Sequence, residues 1–258
     1  VDAAMAERVH EVLAIEGNAA RRENYLQQAA DILHDCEIVF SHHLAEDFGA
    51  VGVTVTNDVA GFERAKLRLL NGAHSTLAYV GSLAGLETVY NAISEPSLAA
   101  FVQKLMREDF KSSLTPPKAL NLDAYIDAVL ARFGNPAIRH LLAQIAWDGS
   151  QKLPFRVLNT MSEALVAGRP IERLCVPLAA WFHFVRRKAG KGETITGPMA
   201  EKLSQLGQRC NGDAVHDVSL FLSLERFWPG ELAKSERVKS GLVQAYERLS
   251  PAQTPDDL

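Results

Sequence analysis

Apolar residues recur three and four positions apart along almost all of this 258-residue chain. That spacing places them on one side of an α-helix and predicts a succession of amphipathic helices. One β-branched run, at residues 51–56, is strand-like, but a single short strand cannot form a sheet. We therefore predict a mainly α, multi-helical fold. The predicted helices are 5–15, 25–39, 62–93, 98–110, 122–133, 138–147, 157–165, 175–185, 199–206, 219–227 and 242–249.

Prolines and glycines separate these helices, but no interruption is long enough to be an interdomain linker, so we predict one helical domain. Asn57 and Asp58 precede a long apolar pattern and are candidate helix N-caps. The final residues, 251–258, contain two prolines and two adjacent aspartates, which predicts a frayed tail.

The charge balance excludes some partners. Twenty-seven basic and 31 acidic residues give a net charge of −4, so no overall positive field is present to hold nucleic acid. The longest uncharged run, residues 69–86, contains Asn71 and His74, which are costly in lipid, and we interpret it as a buried helix rather than a membrane span. Acidic residues near the start argue against a secretion signal, and three cysteines without paired spacing favour a reducing cytoplasm.

Cofactor motifs are also missing from the sequence. No G-x-G-x-x-G occurs, and the chain lacks the alternation of strand and helix that builds a Rossmann sheet, so this chain alone is not expected to hold NAD. His34, Cys36, His42 and His43 lack the paired spacing of a structural zinc site, and we predict no bound metal.

The informative segment lies at residues 62–85. At about 100° per residue, Glu63, Lys66, Asn71 and His74 fall within an arc of roughly 140° on an otherwise apolar helix. A satisfied polar network or a solvated stripe would explain such a face without any function. A functional explanation is proton chemistry, because burial makes a lysine a usable base near neutral pH, and an adjacent amide and imidazole can hydrogen-bond an alkoxide.

The arrangement K-x-x-x-x-N-x-x-H of this face, within KLRLLNGAHS and before LAYVGSLAG, resembles the signature of the polyol-specific long-chain dehydrogenases. That family includes mannitol 2-dehydrogenase and mannonate oxidoreductase. The segments NDVAGFERAKL, LDAYIDAVLARFGNPAIRH, AWDGSQKLPFR and PLAAWFHFVRRK are similar to the family as well. The resemblance covers roughly residues 46–185 and fits the order of the family's motifs.

This resemblance implies the helical C-terminal substrate domain of an NAD-dependent, metal-independent dehydrogenase. By the family pattern Lys66 is the general base, Asn71 and His74 hold the reacting oxygen, and Glu63 lies on the proton exit path. NAD would be bound mainly by an N-terminal dinucleotide-binding domain that is absent here. We accordingly expect a poorly matched helical or linker segment at 1–45, a substrate-binding and catalytic domain at 46–250, and the tail at 251–258.

The resemblance also implies a substrate-binding role for Lys152 and Arg156, although both side chains could simply be solvated. A cation at Lys152 suits a carboxylate better than a neutral hydroxymethyl group, which favours an aldonate such as mannonate over mannitol. Either the chain is part of a longer enzyme, inactive in isolation, or it is a shortened, non-catalytic helical module that binds a polyol or a protein partner.

Overall fold

The computed structural model describes Thr56, residues 58–118 and residues 120–250. The described residues from Asp58 onward belong to one compact unit. Several predictions lie outside the described residues: the segment 1–45, the helices at 5–15 and 25–39, the strand-like run up to residue 55, the four residues His34, Cys36, His42 and His43, and the tail 251–258.

Every regular element within the described residues is a helix, which confirms the predicted mainly α fold. The nearest approach to β structure there is an isolated antiparallel bridge between Thr88 and Leu141. Short 3₁₀ turns occupy Lys111–Ser113 and Leu232–Lys234. The remaining helices are α1 (Val59–Ala65), π1 (Lys66–Gly72), α2 (Ala73–Leu83), α3 (Val89–Ser94), α4 (Pro96–Lys104), π2 (Leu105–Phe110), α5 (Leu122–Phe133), α6 (Leu142–Ile145), α7 (Gly149–Leu153), π3 (Pro154–Leu158), α8 (Asn159–Val166), α9 (Glu172–Gly190), α10 (Ala200–Arg209), α11 (Ala214–Leu222) and α12 (Glu236–Arg248).

The first described helix runs without interruption through α1, π1 and α2. Asp58 caps its start by accepting a hydrogen bond from the Gly61 amide at 3.0 Å, as predicted. The continuous helix predicted for 62–93 is wrong, because Gly85 takes the left-handed conformation (φ 75°) and ends α2. The Leu86 amide then bonds the Gly81 carbonyl at 2.9 Å, which closes the helix end in a Schellman motif.

Two other predicted helices are shorter than expected because their backbone groups find other partners. The helix predicted for 138–147 is reduced to α6, since the Leu142 amide donates to the Glu87 carbonyl and Leu141 pairs with Thr88. The helix predicted for 219–227 ends at Leu222, the last residue of α11, because the Trp228 indole N–H donates to the Phe221 carbonyl at 2.8 Å. By contrast, α5 has the predicted bounds.

A buried aromatic cluster surrounds α9, which packs on α2, α10 and α12. Trp181 stacks on Phe227 with ring centroids 4.7 Å apart, and Phe182 stacks on Phe221 at 4.1 Å. Such contacts add to the free energy gained by removing large apolar side chains from water. None of the described helices combines the length and the apolar character that crossing a bilayer requires.

Three π-helical segments meet at Gly72. A Cβ added to Gly72 would lie 2.7 Å from Cζ of Phe110, the last residue of π2, and 3.2 Å from the backbone carbonyl oxygen of Arg156 in π3. π3 itself begins at Pro154, whose missing N–H and bulky ring disturb the regular α-helical pattern. The absence of a side chain at Gly72 therefore lets π1 approach both neighbours.

An ion pair between a buried arginine and a more exposed glutamate holds π1 to α8. The Arg68 side chain is only 5% exposed, and its guanidinium donates to both carboxylate oxygens of Glu163 in α8, at 2.5 and 2.6 Å. The same guanidinium reaches the Ser113 carbonyl at 2.7 Å. Because bidentate pairs restrict orientation as well as distance, this contact sets the rotation of π1 about its axis.

Substituting Gly72 tests the close approach of the three segments. We expect Gly72→Ala to lower the free energy of unfolding by about 1–3 kcal/mol, because the new methyl group would displace the buried Phe110 ring. Chemical denaturation measures the change. Gly190→Ala is the control, since a Cβ there would meet no atom within 4 Å. Equal stability of both variants would contradict the packing described here.

Candidate active site

The π-helical turn determines which polar side chains share a face. The hydrogen bonds of a π helix join residues five positions apart, so Lys66 and Asn71, which are separated by five, come closer to one face than they would in an α-helix. His74 follows three residues later in α2, and residues three apart are neighbours on an α-helix. Lys66, Asn71 and His74 thus line one stretch of surface, which we call the polar face.

Exposure differs along this face. Glu63 and Lys66 are exposed, whereas Asn71 and His74 are half-buried. The energetic cost of burying a charged lysine, which made the pattern unusual in the sequence, therefore does not arise in this chain. Only the amide and the imidazole are withdrawn from water.

The side chains of the polar face have polar groups that remain free. Among the described residues, no side chain or backbone group hydrogen-bonds the Lys66 ammonium, the Asn71 amide or the His74 imidazole. By contrast, two neighbouring polar groups on the same helix are paired: Thr76 Oγ1 donates to the Gly72 carbonyl at 2.9 Å, and Tyr79 Oη donates to the Ala146 carbonyl at 3.0 Å. Donors that are half-buried and unpartnered form a surface suited to an oxygen-rich ligand.

His74 is held between two rings. It stacks on Phe133 with centroids 4.7 Å apart, and His140 meets it edge-on at 5.5 Å. Burial, together with the smaller effects of the positive charges of His140, Arg156 and Arg132, lowers the pKa of His74 from 6.5 to about 4. His74 is therefore neutral at pH 7 and carries one N–H donor and one acceptor nitrogen.

Arg156 reaches the polar face from π3. One guanidinium nitrogen donates to Ser75 Oγ at 2.9 Å, which holds the side chain next to His74. Burial lowers the pKa of Arg156, and the charge of the guanidinium contributes to the lowered pKa of His74. Burial raises the pKa of Tyr79, and the Arg156 charge partly opposes that shift. The predicted site residues His74 and Arg156 therefore belong to one electrostatic environment.

Lys152 lies one turn before Arg156 and is half-buried. Its ammonium donates to the carbonyls of Trp147 and Ile145 and lies 5.5 Å from the centroid of a Trp147 ring. Burial lowers the pKa of Lys152, Arg156 lowers it further, and the Asp148 carboxylate opposes the shift. An ammonium has three N–H donors, so one donor remains for a ligand when two carbonyls are bound.

The structure brings together most of the predicted site residues. Lys66, Asn71 and His74 share the polar face, and Arg156 of π3 lies close enough to His74 to affect its pKa. Lys152 lies near Arg156, one helical turn earlier. Glu63 lies one turn before Lys66 on the exposed side of α1, and among the described residues it makes no ion pair.

Sequence reasoning missed three residues of this region. His140 and Ser75 contact His74 and Arg156, and the chain reverses at Asp148, a non-glycine residue in the left-handed conformation. The only available signal was that His140 and Asp148 lie in the segments PAIRH and AWDGS, which match family motifs.

Cofactor sites are a separate question. Dinucleotide phosphates usually bind at the N-terminus of a helix that follows a strand and a glycine-rich turn, and the described residues contain no strand. Within the same residues, no group of three or more His, Cys, Asp or Glu side chains is arranged to hold a metal ion.

Comparison with known proteins places this geometry in context. The family model of the mannitol dehydrogenase C-terminal domain matches residues 58–250. Mannitol 2-dehydrogenase of Neosartorya fischeri is 37% identical over 208 residues, which cover 79% of this chain and 41% of that protein. D-mannonate oxidoreductase of Escherichia coli is 32% identical over 205 residues, covering 79% of this chain and 42% of that protein.

A solved structure is also similar. The Pseudomonas fluorescens mannitol 2-dehydrogenase ternary complex with NAD and D-mannitol has a TM-score of 0.70 and 28% sequence identity, covering 78% of this chain and 41% of that chain. The chain thus spans about two fifths of the length of the curated relatives it matches.

Replacing His140 tests the electrostatic environment of His74. We expect His140→Gln to raise the pKa of His74 above about 4, because the substitution removes a neighbouring positive charge. Titration of the histidine ring signals by NMR measures the shift. The internal control is His183. Burial lowers the pKa of His183 to about 4 as well, but His140 does not contribute to that shift.

The same titration has a consequence for stability. Since the unfolded chain binds a proton to His74 near pH 6.5 and the folded chain only near pH 4, the folded state is destabilised as the pH falls between these values. His140→Gln should reduce that pH dependence. An unchanged pKa for His74 would show that the two rings are not electrostatically coupled.

Proposed function

The chain belongs to the mannitol dehydrogenase C-terminal domain family, as the sequence resemblance predicted, and we propose that it is the substrate domain of an NAD-dependent dehydrogenase that oxidises a polyol or an aldonate. The observation that carries this proposal is the polar face, where Lys66, Asn71 and His74 present free donors beside each other. The keto sugar or keto acid would be the product.

Lys66 is the proposed general base. As the reacting carbon gives up a hydride, the hydroxyl on that carbon loses its proton to Lys66 Nζ and becomes a carbonyl. The hydride acceptor would be supplied by NAD bound to a separate dinucleotide-binding domain. The exposed position of Lys66 is compatible with this role, because substrate and a second domain would cover the side chain and remove it from water.

Asn71 and His74 are the proposed oxygen-binding groups. The Asn71 amide and the neutral His74 imidazole can each donate one hydrogen bond to the oxygen as negative charge develops on it. Phe133 and His140 restrict the His74 ring, so that little reorganisation is needed when the charge appears. Glu63 would then accept the proton from Lys66 and release it to water.

The proposed substrate is an acid rather than a neutral polyol. Arg156 is a cation beside His74, Lys152 lies near Arg156, and both retain donors beyond those that they use within the protein. A carboxylate compensates these partly buried charges, whereas a hydroxymethyl group does not. We therefore favour mannonate, with fructuronate as its keto partner, over mannitol.

Removing the proposed base tests the catalytic role. The assay requires a reconstituted enzyme, meaning this chain joined to the dinucleotide-binding domain of a relative. We expect Lys66→Ala to lower kcat about a hundredfold or more and to flatten the pH dependence of kcat. The reason is that general-base catalysis typically accelerates a reaction about 10²- to 10⁴-fold. NAD affinity should stay the same. Lys104→Ala, an exposed lysine on α4, is the control.

Near-normal turnover of Lys66→Ala with an unchanged pH profile would make the polar face a structural feature. The chain would then be better described as a non-catalytic binding module.

Replacing Lys152 tests the substrate class. We expect Lys152→Met to raise KM for mannonate roughly tenfold, which corresponds to losing about 1.4 kcal/mol from one charge-assisted contact. KM for mannitol should barely change, and Lys104→Met should affect neither substrate. Steady-state kinetics on both substrates measure the difference. Equal effects on the acid and on the polyol would rule out recognition of a carboxylate by Lys152.

A further inference from the structure

Asp148 has an unusual backbone conformation. Among the described residues it is the only non-glycine residue with a positive φ, at φ 56° and ψ 58°, and it is just 8% exposed. An L-residue is disfavoured in this region, and such a conformation persists only where the surrounding structure enforces it. The contacts of Asp148 show what enforces it here.

The Asp148 carboxylate is held from two sides. Ser150 Oγ donates to Asp148 Oδ1 at 3.1 Å. Gly197, with φ 111°, lies so close that an added Cβ would be 2.3 Å from the same oxygen. Space for the carboxylate therefore depends on the absence of a side chain at Gly197.

The residue after Asp148 is wedged between two core helices. A Cβ on Gly149 would lie 2.3 Å from Tyr79 Oη of α2 and 2.5 Å from Trp181 Nε1 of α9. The Tyr79 hydroxyl also holds the start of the turn by donating to the Ala146 carbonyl at 3.0 Å. The turn between α6 and α7 is thus attached to the core at Ala146 and Gly149.

This turn sets the direction of the segment that bears both substrate-binding cations. The Lys152 amide donates to the Asp148 carbonyl at 3.3 Å, and the Lys152 ammonium returns to the carbonyl of Trp147, just before Asp148. Arg156 follows in the continuous helix one turn later and reaches Ser75 Oγ. A change in the turn would move both cations relative to the polar face.

We propose that Asp148 is a positioning residue, whose left-handed conformation and clamped carboxylate aim Lys152 and Arg156 at the substrate beside His74. This inference rests on the proposed function, because Lys152 and Arg156 are assigned their substrate-binding roles there. Asp148 itself is assigned no contact with substrate. Asparagine fits the same role, since it tolerates the left-handed region and keeps an oxygen acceptor for Ser150. Glycine adopts the conformation without strain but has no group to clamp.

The kinetic test compares Asp148→Gly with Asp148→Asn in the reconstituted enzyme. We expect Asp148→Gly to raise KM for mannonate about tenfold with kcat changed less than threefold, because Lys66, Asn71 and His74 are untouched. Asp148→Asn should restore KM to within about threefold of the parent. Both variants keep the left-handed turn accessible, so neither relies on a strained substitution.

A second measurement does not depend on activity. In the 258-residue chain itself, hydrogen exchange of the amides at 149–158 should be faster for Asp148→Gly than for Asp148→Asn, with exchange in α12 equal in both. A normal KM for Asp148→Gly, or equal exchange at 149–158 in both variants, would overturn the positioning role. If Lys152→Met is also without effect on mannonate, the proposed substrate class fails as well; if only Asp148→Gly is without effect, that class stands.

Discussion

The close approach of three π-helical segments at Gly72 is the constraint on which the rest of the site depends. π1 can contact the Phe110 ring and the Arg156 backbone only because Gly72 has no side chain. The ion pair of the buried Arg68 with Glu163 then restricts the rotation of π1. Together these contacts hold π1 in place and bring the chain segment of Arg156 alongside the polar face.

Much of the fold could be predicted from the sequence because helical periodicity and capping are local. The bounds of α5 and the cap at Asp58 follow from residues within one turn of each other. The widened turn of π1 could not be predicted, since it arises from contacts with segments about 40 and 85 residues away. The polar face was identified at 100° per residue, and the π-helical pattern changes its geometry by bringing Lys66 and Asn71 closer together.

The roles of His140 and Asp148 were beyond sequence reasoning for the same physical reason. His140 acts on His74 through a ring contact across the fold, where Leu141 bridges to Thr88. Asp148 looks like an ordinary cap before Gly149, and only the neighbouring Gly197 shows why its carboxylate is enclosed. Both residues adjust groups that the sequence had already singled out, namely His74 and Lys152.

The central claim is that the polar face binds the reacting oxygen. A crystal structure of the reconstituted enzyme with NAD and mannonate tests it most directly, because the position of the oxidised hydroxyl is observed. The account predicts this oxygen within about 3.2 Å of Lys66 Nζ and within hydrogen-bond reach of Asn71 and His74, with the carboxylate toward Lys152 and Arg156. A substrate whose reacting hydroxyl lies away from all three side chains of the polar face would contradict it.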